Sequence, residues 1–141
     1  MFLGEYEHSL DAKGRVILPA KFRDQLEGGA VMARTLDGCL AVYPQSEFGR
    51  VAAKLQDARE RGGRERQAAR TYFAGAVEIT PDKQGRVAIP PKMREYARLD
   101  REVVVIGNLD HIEIWDAPAF RVHETEGIAA IQEGEGFNDF M

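Results

Sequence analysis

Arg15 and Arg86 are the side chains in this sequence best placed for recognition chemistry. Each directly follows a glycine and stands four residues after an aspartate, in DAKGR (11–15) and DKQGR (82–86). An aspartate that opens a tight turn accepts hydrogen bonds from backbone N–H groups two or three residues on. Glycine in the fourth place supplies the positive φ that such hairpins require. The arginine is then held at the mouth of the turn, with a carboxylate near enough to limit its rotamers. A guanidinium fixed this way presents a planar fork of donors to a phosphate or to the edge of a guanine. Taken singly, either motif reads more simply as a hairpin turn with an internal Asp–Arg pair.

Two copies change that reading. DAKGRVILP (11–19) and DKQGRVAIP (82–90) share Asp, Gly, Arg, Val and Pro at a separation of 71 residues, and the register continues through Lys21/Lys92 and Arg23/Arg94. A turn needs only its Asp and Gly, so the added bases call for another explanation. Net charge is −4, yet positions 11–23 hold four bases and one acid, as do positions 82–94, and the rest of the chain holds 11 bases against 21 acids. Positive charge concentrated in an acidic chain marks a surface for an anionic polymer. The candidate contacts are Lys13, Arg15, Lys83 and Arg86, with Asp11, Gly14, Asp82 and Gly85 shaping the turns.

The elements that must hold these turns repeat in the same order. Alternation predicts a strand over 2–8, followed by the turn and a short apolar strand over 16–18. Pro19 suits a helix start, and a helix over 19–26 places Phe22 and Leu26 on one face. Strands over 30–35 and 39–43 flank a turn at Leu36-Asp37-Gly38. The second copy repeats this with strands over 76–80 and 87–89, a helix opened by Pro90 and Pro91, and strands over 102–107 and 112–115. Between the copies, Phe48, Val51, Leu55 and Ala58 recur at helical spacing, which predicts a helix over 47–61, a break at Gly62-Gly63 and a second helix over 64–73. Arg59, Arg61, Arg64, Arg66 and Arg70 alternate there with Glu60 and Glu65. They read as a solvated helix face with paired charges or, alternatively, as an auxiliary phosphate-facing or subunit-facing surface. The chain therefore divides into repeat 1 (5–47), a helical connector (48–75), repeat 2 (76–119) and an acidic tail (120–141). From Glu124 to Met141 the tail has no base and is expected to be mobile or to dock only in an assembly. A half of about 70 residues supports only a thin core, so the copies are expected to share one. The expected class is α+β.

Other chemistry finds little support. His8, His111 and His123 have no partners at metal-ligand spacing, so neither a metal nor another cofactor is expected. No serine or cysteine sits in a nucleophile elbow, and the strand carboxylates Glu5, Glu7 and Glu78 lack perturbing neighbours, so no enzyme is expected. Cys39, the single cysteine, reads as a buried inert thiol. Tyr43 and Trp115 occupy matching strand positions and read as packing rather than base stacking. The start, MFLGEYEHSL, has glutamates where a secretory leader would be basic and then apolar. No stretch approaches membrane-spanning length. A cytoplasmic protein with no membrane partner is expected.

The doubled D-x-x-G-R-V-x-(I/L)-P pattern, within FLGEYEHSLDAKGRVILPAKFR and FAGAVEITPDKQGRVAIPPKMREYA, resembles the SpoVT-AbrB, or AbrB-like swapped-hairpin, family of DNA-binding proteins. The likeness covers nearly all of residues 1–120. It implies tandem β-α-β repeats that share a pseudo-twofold barrel core, the two copies standing in for a dimer of single-copy relatives. It also implies a nucleoid-associated transcriptional regulator that assembles as a homo-oligomeric ring on short direct repeats in promoter DNA. Such a regulator would repress the division and cell-wall operon that encodes it. The same fold family includes antitoxin-type partners, which leaves a protein-binding scaffold without direct DNA contact as the alternative.

Overall fold

The computed structural model describes residues 1–139, so the last two positions of the expected acidic tail lie outside the described residues. The first copy forms β1 (Glu5–Ser9), β2 (Arg15–Ile17), α1 (Ala20–Asp24), β3 (Ala30–Arg34) and β4 (Leu40–Pro44). The connector forms α2 (Gln45–Glu60) and α3 (Gly63–Gly75). The second copy forms β5 (Val77–Ile79), β6 (Arg86–Ala88), α4 (Pro91–Tyr96), β7 (Glu102–Gly107) and β8 (Ile112–Asp116), followed by α5 (Ala117–Gln132). The element order matches the sequence reading up to α5. The first strand starts later than expected because Gly4 turns out of extended backbone with φ of 103°. Phe2 instead makes an isolated bridge with Leu109.

Strand pairing interleaves the copies. Six antiparallel strands form a sheet in the order β1-β7-β8-β4-β3-β5, and β2 pairs with β6 in a separate two-stranded ribbon. Thus β1 of the first copy lies on β7 of the second, and β5 of the second lies on β3 of the first. The exchange is symmetric in register. Tyr6 opposes Val105, and its counterpart Val77 opposes Met32. The central β4–β8 pair, with Leu40 opposite Ile114 and Val42 opposite Ile112, sits on the pseudo-twofold axis.

One core follows from that exchange. Strand alternation sends Met32, Leu40, Val42, Val103, Val105, Ile112 and Ile114 to one face of the sheet. There they join Val16, Leu18, Val87 and Ile89 of the ribbon with Phe22 and Met93 of the short helices in a single buried cluster. Phe22 lies edge-on to Phe2 and Tyr6, at ring separations of 5.5 and 5.4 Å. Sheet, ribbon and helices enclose this core, and among the described residues no continuous ring of paired strands closes it. The reason is local. Each ribbon strand is stopped at once by Pro19 or Pro90, and a proline has no N–H to extend a ladder. The architecture is α+β, as expected.

The opposite face of the sheet is covered by the longer helices. Buried Val31, Ala33, Ala41, Val104 and Trp115 alternate with the core residues and therefore point the other way. Trp115 meets Phe120 and His123 of α5, and Tyr43 meets Phe48 of α2. The arginine-rich connector thus lies across the sheet from the ribbon. Glu113 is buried on this face, where its carboxylate accepts hydrogen bonds from Asn108 Nδ2 (3.1 Å) and Trp115 Nε1 (2.9 Å) and pairs with His111 Nε2 (2.9 Å). Burial pushes the Glu113 carboxyl up, but the bonds from His111, Trp115 and Asn108 outweigh it and leave the group below its ordinary range. Burial pushes His111 down, and its bonds to Glu113 and Asp110 outweigh that and raise it. His111 is therefore a paired half-buried residue. No group of three or more His, Cys, Asp or Glu among the described residues is arranged to hold a metal.

The segment expected to be a mobile tail begins as a helix. Asp116 caps α5 by accepting the Ala119 N–H at 3.2 Å, and a proline occupies its first turn, both standard helix-start features. Arg121 fastens the helix across to the edge strand, reaching Glu5 at 2.6 Å and Glu7 at 2.7 Å. Acidic composition suggested mobility there; the cap, the proline and these two long-range pairs override it as far as Gln132.

Because the copies interleave, a chain truncated to residues 1–75 cannot fold as a monomer: β1 and β3 lose their partners β7 and β5. Circular dichroism with sedimentation should show it unfolded or self-associated; a monomeric half with a cooperative melt would contradict the topology.

Candidate nucleic-acid interface

The two turns are built alike, each aspartate accepting backbone N–H groups two and four residues on rather than the expected two or three. Asp11 Oδ1 accepts the N–H groups of Lys13 and Arg15, both at 2.9 Å, and Oδ2 accepts Arg15 Nε at 2.6 Å. In the second turn Asp82 Oδ1 accepts the N–H groups of Gln84 and Arg86, both at 2.9 Å, and Oδ2 accepts Arg86 Nε at 2.8 Å. Gly14 and Gly85 carry φ of 73° and 81°. The backbone N–H of Arg15 is the leading cause that lowers the Asp11 carboxyl, and that of Arg86 does the same for Asp82. The arginine side chains are 27% exposed in both turns.

Each carboxylate holds its arginine through Nε alone. Among the described residues neither guanidinium makes a further hydrogen bond, so Nη1 and Nη2 remain available as donors. The arrangement fixes the base of the fork and leaves its tips free.

The ribbon brings the two forks together. Arg15 opposes Ala88, Val16 opposes Val87 and Ile17 opposes Arg86. Val16 and Val87 point into the core, so alternation places Arg15, Ile17, Arg86 and Ala88 on the outer face. Two residues along and one strand across puts the arginine Cα atoms about 8 Å apart. Each turn is also tied to the other copy's strand: Leu18 N–H donates to Gly85 O at 2.9 Å and Ile89 N–H to Gly14 O at 3.0 Å.

Arg23 and Arg94 are arginines whose purpose was not legible in the sequence. They cross between copies. A Cβ at Gly14 would collide with the Arg94 guanidinium, and one at Gly85 with that of Arg23. Arg94 Nη1 also donates to Ile89 O at 2.7 Å. Each helix therefore lays an arginine over the other copy's turn, which gives these two bases a structural role. The repetition at one offset was the available signal, but nothing local says that the contact is made to the opposite copy. Lys21 instead lies 5.2 Å from the Tyr6 ring centroid. The exposed Lys13 and Lys83 are not equivalents: Lys13 matches Gln84, and Lys83 matches Ala12.

Two outcomes test this construction. Gly14→Ala and Gly85→Ala should each destabilise the protein by about 1–3 kcal/mol in chemical denaturation, through strained backbone and displaced arginine. The lowered aspartates stabilise the fold fully above the ordinary value of 3.8 and lose that contribution as pH falls through their depressed values. Asp11→Asn with Asp82→Asn should therefore melt lower than wild type at neutral pH, with the gap closing in acid; a gap that persists unchanged would exclude the carboxylate contacts.

Comparison with known proteins agrees with this duplicated construction. The family model described as "MraZ protein, putative antitoxin-like" matches the chain twice, over residues 1–71 and 72–133. A transcriptional regulator MraZ from Pediococcus pentosaceus is 48% identical over 128 residues, covering 89% of this chain and 90% of that protein. One from Salinispora arenicola is 47% identical with 95% and 96% covered. One from Lactiplantibacillus plantarum is 43% identical with 99% and 100% covered. Two successive matches of one family model, and relatives aligned over almost their full length, place the chain in the MraZ family.

Proposed function

We propose that the protein is a sequence-specific DNA-binding transcriptional regulator that engages duplex DNA through the outer face of the β2–β6 ribbon. The observation that carries this reading is the common outward placement of Arg15 and Arg86, each anchored through Nε with its Nη pair free. A major groove about 12 Å wide admits a two-stranded ribbon, and a guanidinium fork matches guanine O6 and N7 or a phosphate. Lys13 and Lys83, at the two exposed turns, contact flanking phosphates. Asp11, Gly14, Asp82 and Gly85 shape the turns without touching DNA. The names of the relatives support a role in transcription.

The finer reading has the chain assemble as a homo-oligomeric ring, so that several ribbons meet promoter direct repeats together. Tethering makes later contacts effectively intramolecular and turns weak single contacts into strong overall binding. Repression of its own division and cell-wall operon, in the cytoplasm at the nucleoid, completes this proposal. No catalysis is assigned. Among the described residues, no helix is long and apolar enough to cross a membrane.

A protein-binding, antitoxin-like role is the second reading. It is favoured by the exposed apolar residues Val122, Ile128 and Ile131 along α5. Nuclease-treated pull-downs separate the two: a retained protein partner without DNA affinity favours the scaffold.

Gel-shift titrations with promoter DNA test the first reading. Affinity should fall steeply with salt as phosphate contacts release counterions. Arg15→Ala and Arg86→Ala should each weaken binding by about 1–3 kcal/mol without changing assembly size. Flat salt dependence, or normal binding by both variants, would contradict it.

A further inference from the structure

The ribbon is symmetric in its arginines and asymmetric in what lies beside them. The pseudo-twofold axis relates Arg15 to Arg86, and it relates Ile17 to Ala88. Ile17 opposes Arg86 across the ribbon, whereas Arg15 is opposed only by Ala88. Ile17 is 47% exposed on that outer face, although its neighbours Val16 and Leu18 are almost wholly buried. The turns repeat the asymmetry, with Ala12 and Lys13 in one and Lys83 and Gln84 in the other.

We infer that Ile17 is a specificity-determining residue that reads the C5-methyl of a thymine beside the base step met by Arg86, and that Ala88 is too short to make the matching contact beside Arg15. This rests on the DNA-binding reading and adds to it a reason for a non-palindromic site. An apolar side chain in the major groove discriminates thymine by contact with its C5-methyl group. A branched isoleucine held on a strand has few rotamers, so its branched end is presented at a fixed height beside the Arg86 fork. Exchanging the two copies would bring an alanine to that thymine, and the ribbon therefore has a preferred direction on DNA.

The test uses a labelled duplex enriched from a random-sequence library by the wild-type chain, together with copies in which each thymine is replaced singly by deoxyuridine. That replacement removes one methyl and nothing else. Wild type should lose about fourfold in affinity at one thymine, the worth of a single buried methyl. Ile17→Ala should bind the parent duplex about fourfold more weakly and be indifferent to deoxyuridine there; Ile17→Val should remain sensitive. Ala88→Ile should gain sensitivity at a pseudo-symmetric position. Equal deoxyuridine profiles for wild type and Ile17→Ala, with tight binding retained, would overturn the assignment of Ile17 alone. Failure of the wild-type chain to enrich any duplex would overturn the DNA-binding reading with it. Thermal melts close to wild type establish that the variants are folded, and a uniform loss across all duplexes by Ile17→Ala would mean a structural role and also overturn the assignment.

Discussion

Three residue pairs between β2 and β6 are the constraint on which the rest of the molecule depends. A ribbon that short is not stable alone. Its position is set by Val16, Leu18, Val87 and Ile89, all at most 1% exposed, which bind it to a core drawn from both copies. The main-chain bonds from Leu18 to Gly85 and from Ile89 to Gly14 then fix each turn against the other copy's strand. Neither copy can build its Asp–Arg turn without the other. The sheet shows the same dependence, since its edge strands β1 and β5 each lie on a strand of the opposite copy.

The Asp–Arg pairs set a compromise between strength and geometry. A carboxylate beside each arginine offsets part of its charge and so weakens indiscriminate attraction to phosphate. In return it restricts the rotamers of the arginine within the folded chain. Holding the guanidinium by Nε leaves the Nη donors without a partner among the described residues. The covering arginines Arg94 and Arg23 add positive charge behind the turns while filling the space over Gly14 and Gly85. The result is a small, stiff, cationic surface on an acidic molecule.

Much of the local structure was legible in the sequence. The turns, the Asp–Arg pairing, the short helices and the helical connector follow from residue types at fixed spacing, and the structure reproduces them. What was not legible is the partner of each element across the chain. Alternation in β1 says that one face is buried, but it carries no signal that selects β7. Arg23 and Arg94 looked like free bases because their contacts lie on the opposite copy. The acidic composition from Glu124 onward pointed to mobility, whereas the Asp116 cap and the Arg121 pairs with Glu5 and Glu7 support a helix that runs to Gln132. His111 looked isolated because its partner Glu113 becomes significant only once buried. These failures share a cause: long-range contacts and burial override local composition.

The layering separates two surfaces of different character. The ribbon faces one way, and the connector with α5 covers the other face of the sheet, so the connector arginines stand on the opposite side of the sheet from Arg15 and Arg86. Backbone amide chemical shifts followed while duplex DNA is added test that separation directly. The account predicts joint movement of residues 12–17 and 83–88 with α2, α3 and α5 unchanged. Movement confined to one turn, or centred on the connector helices, would contradict it.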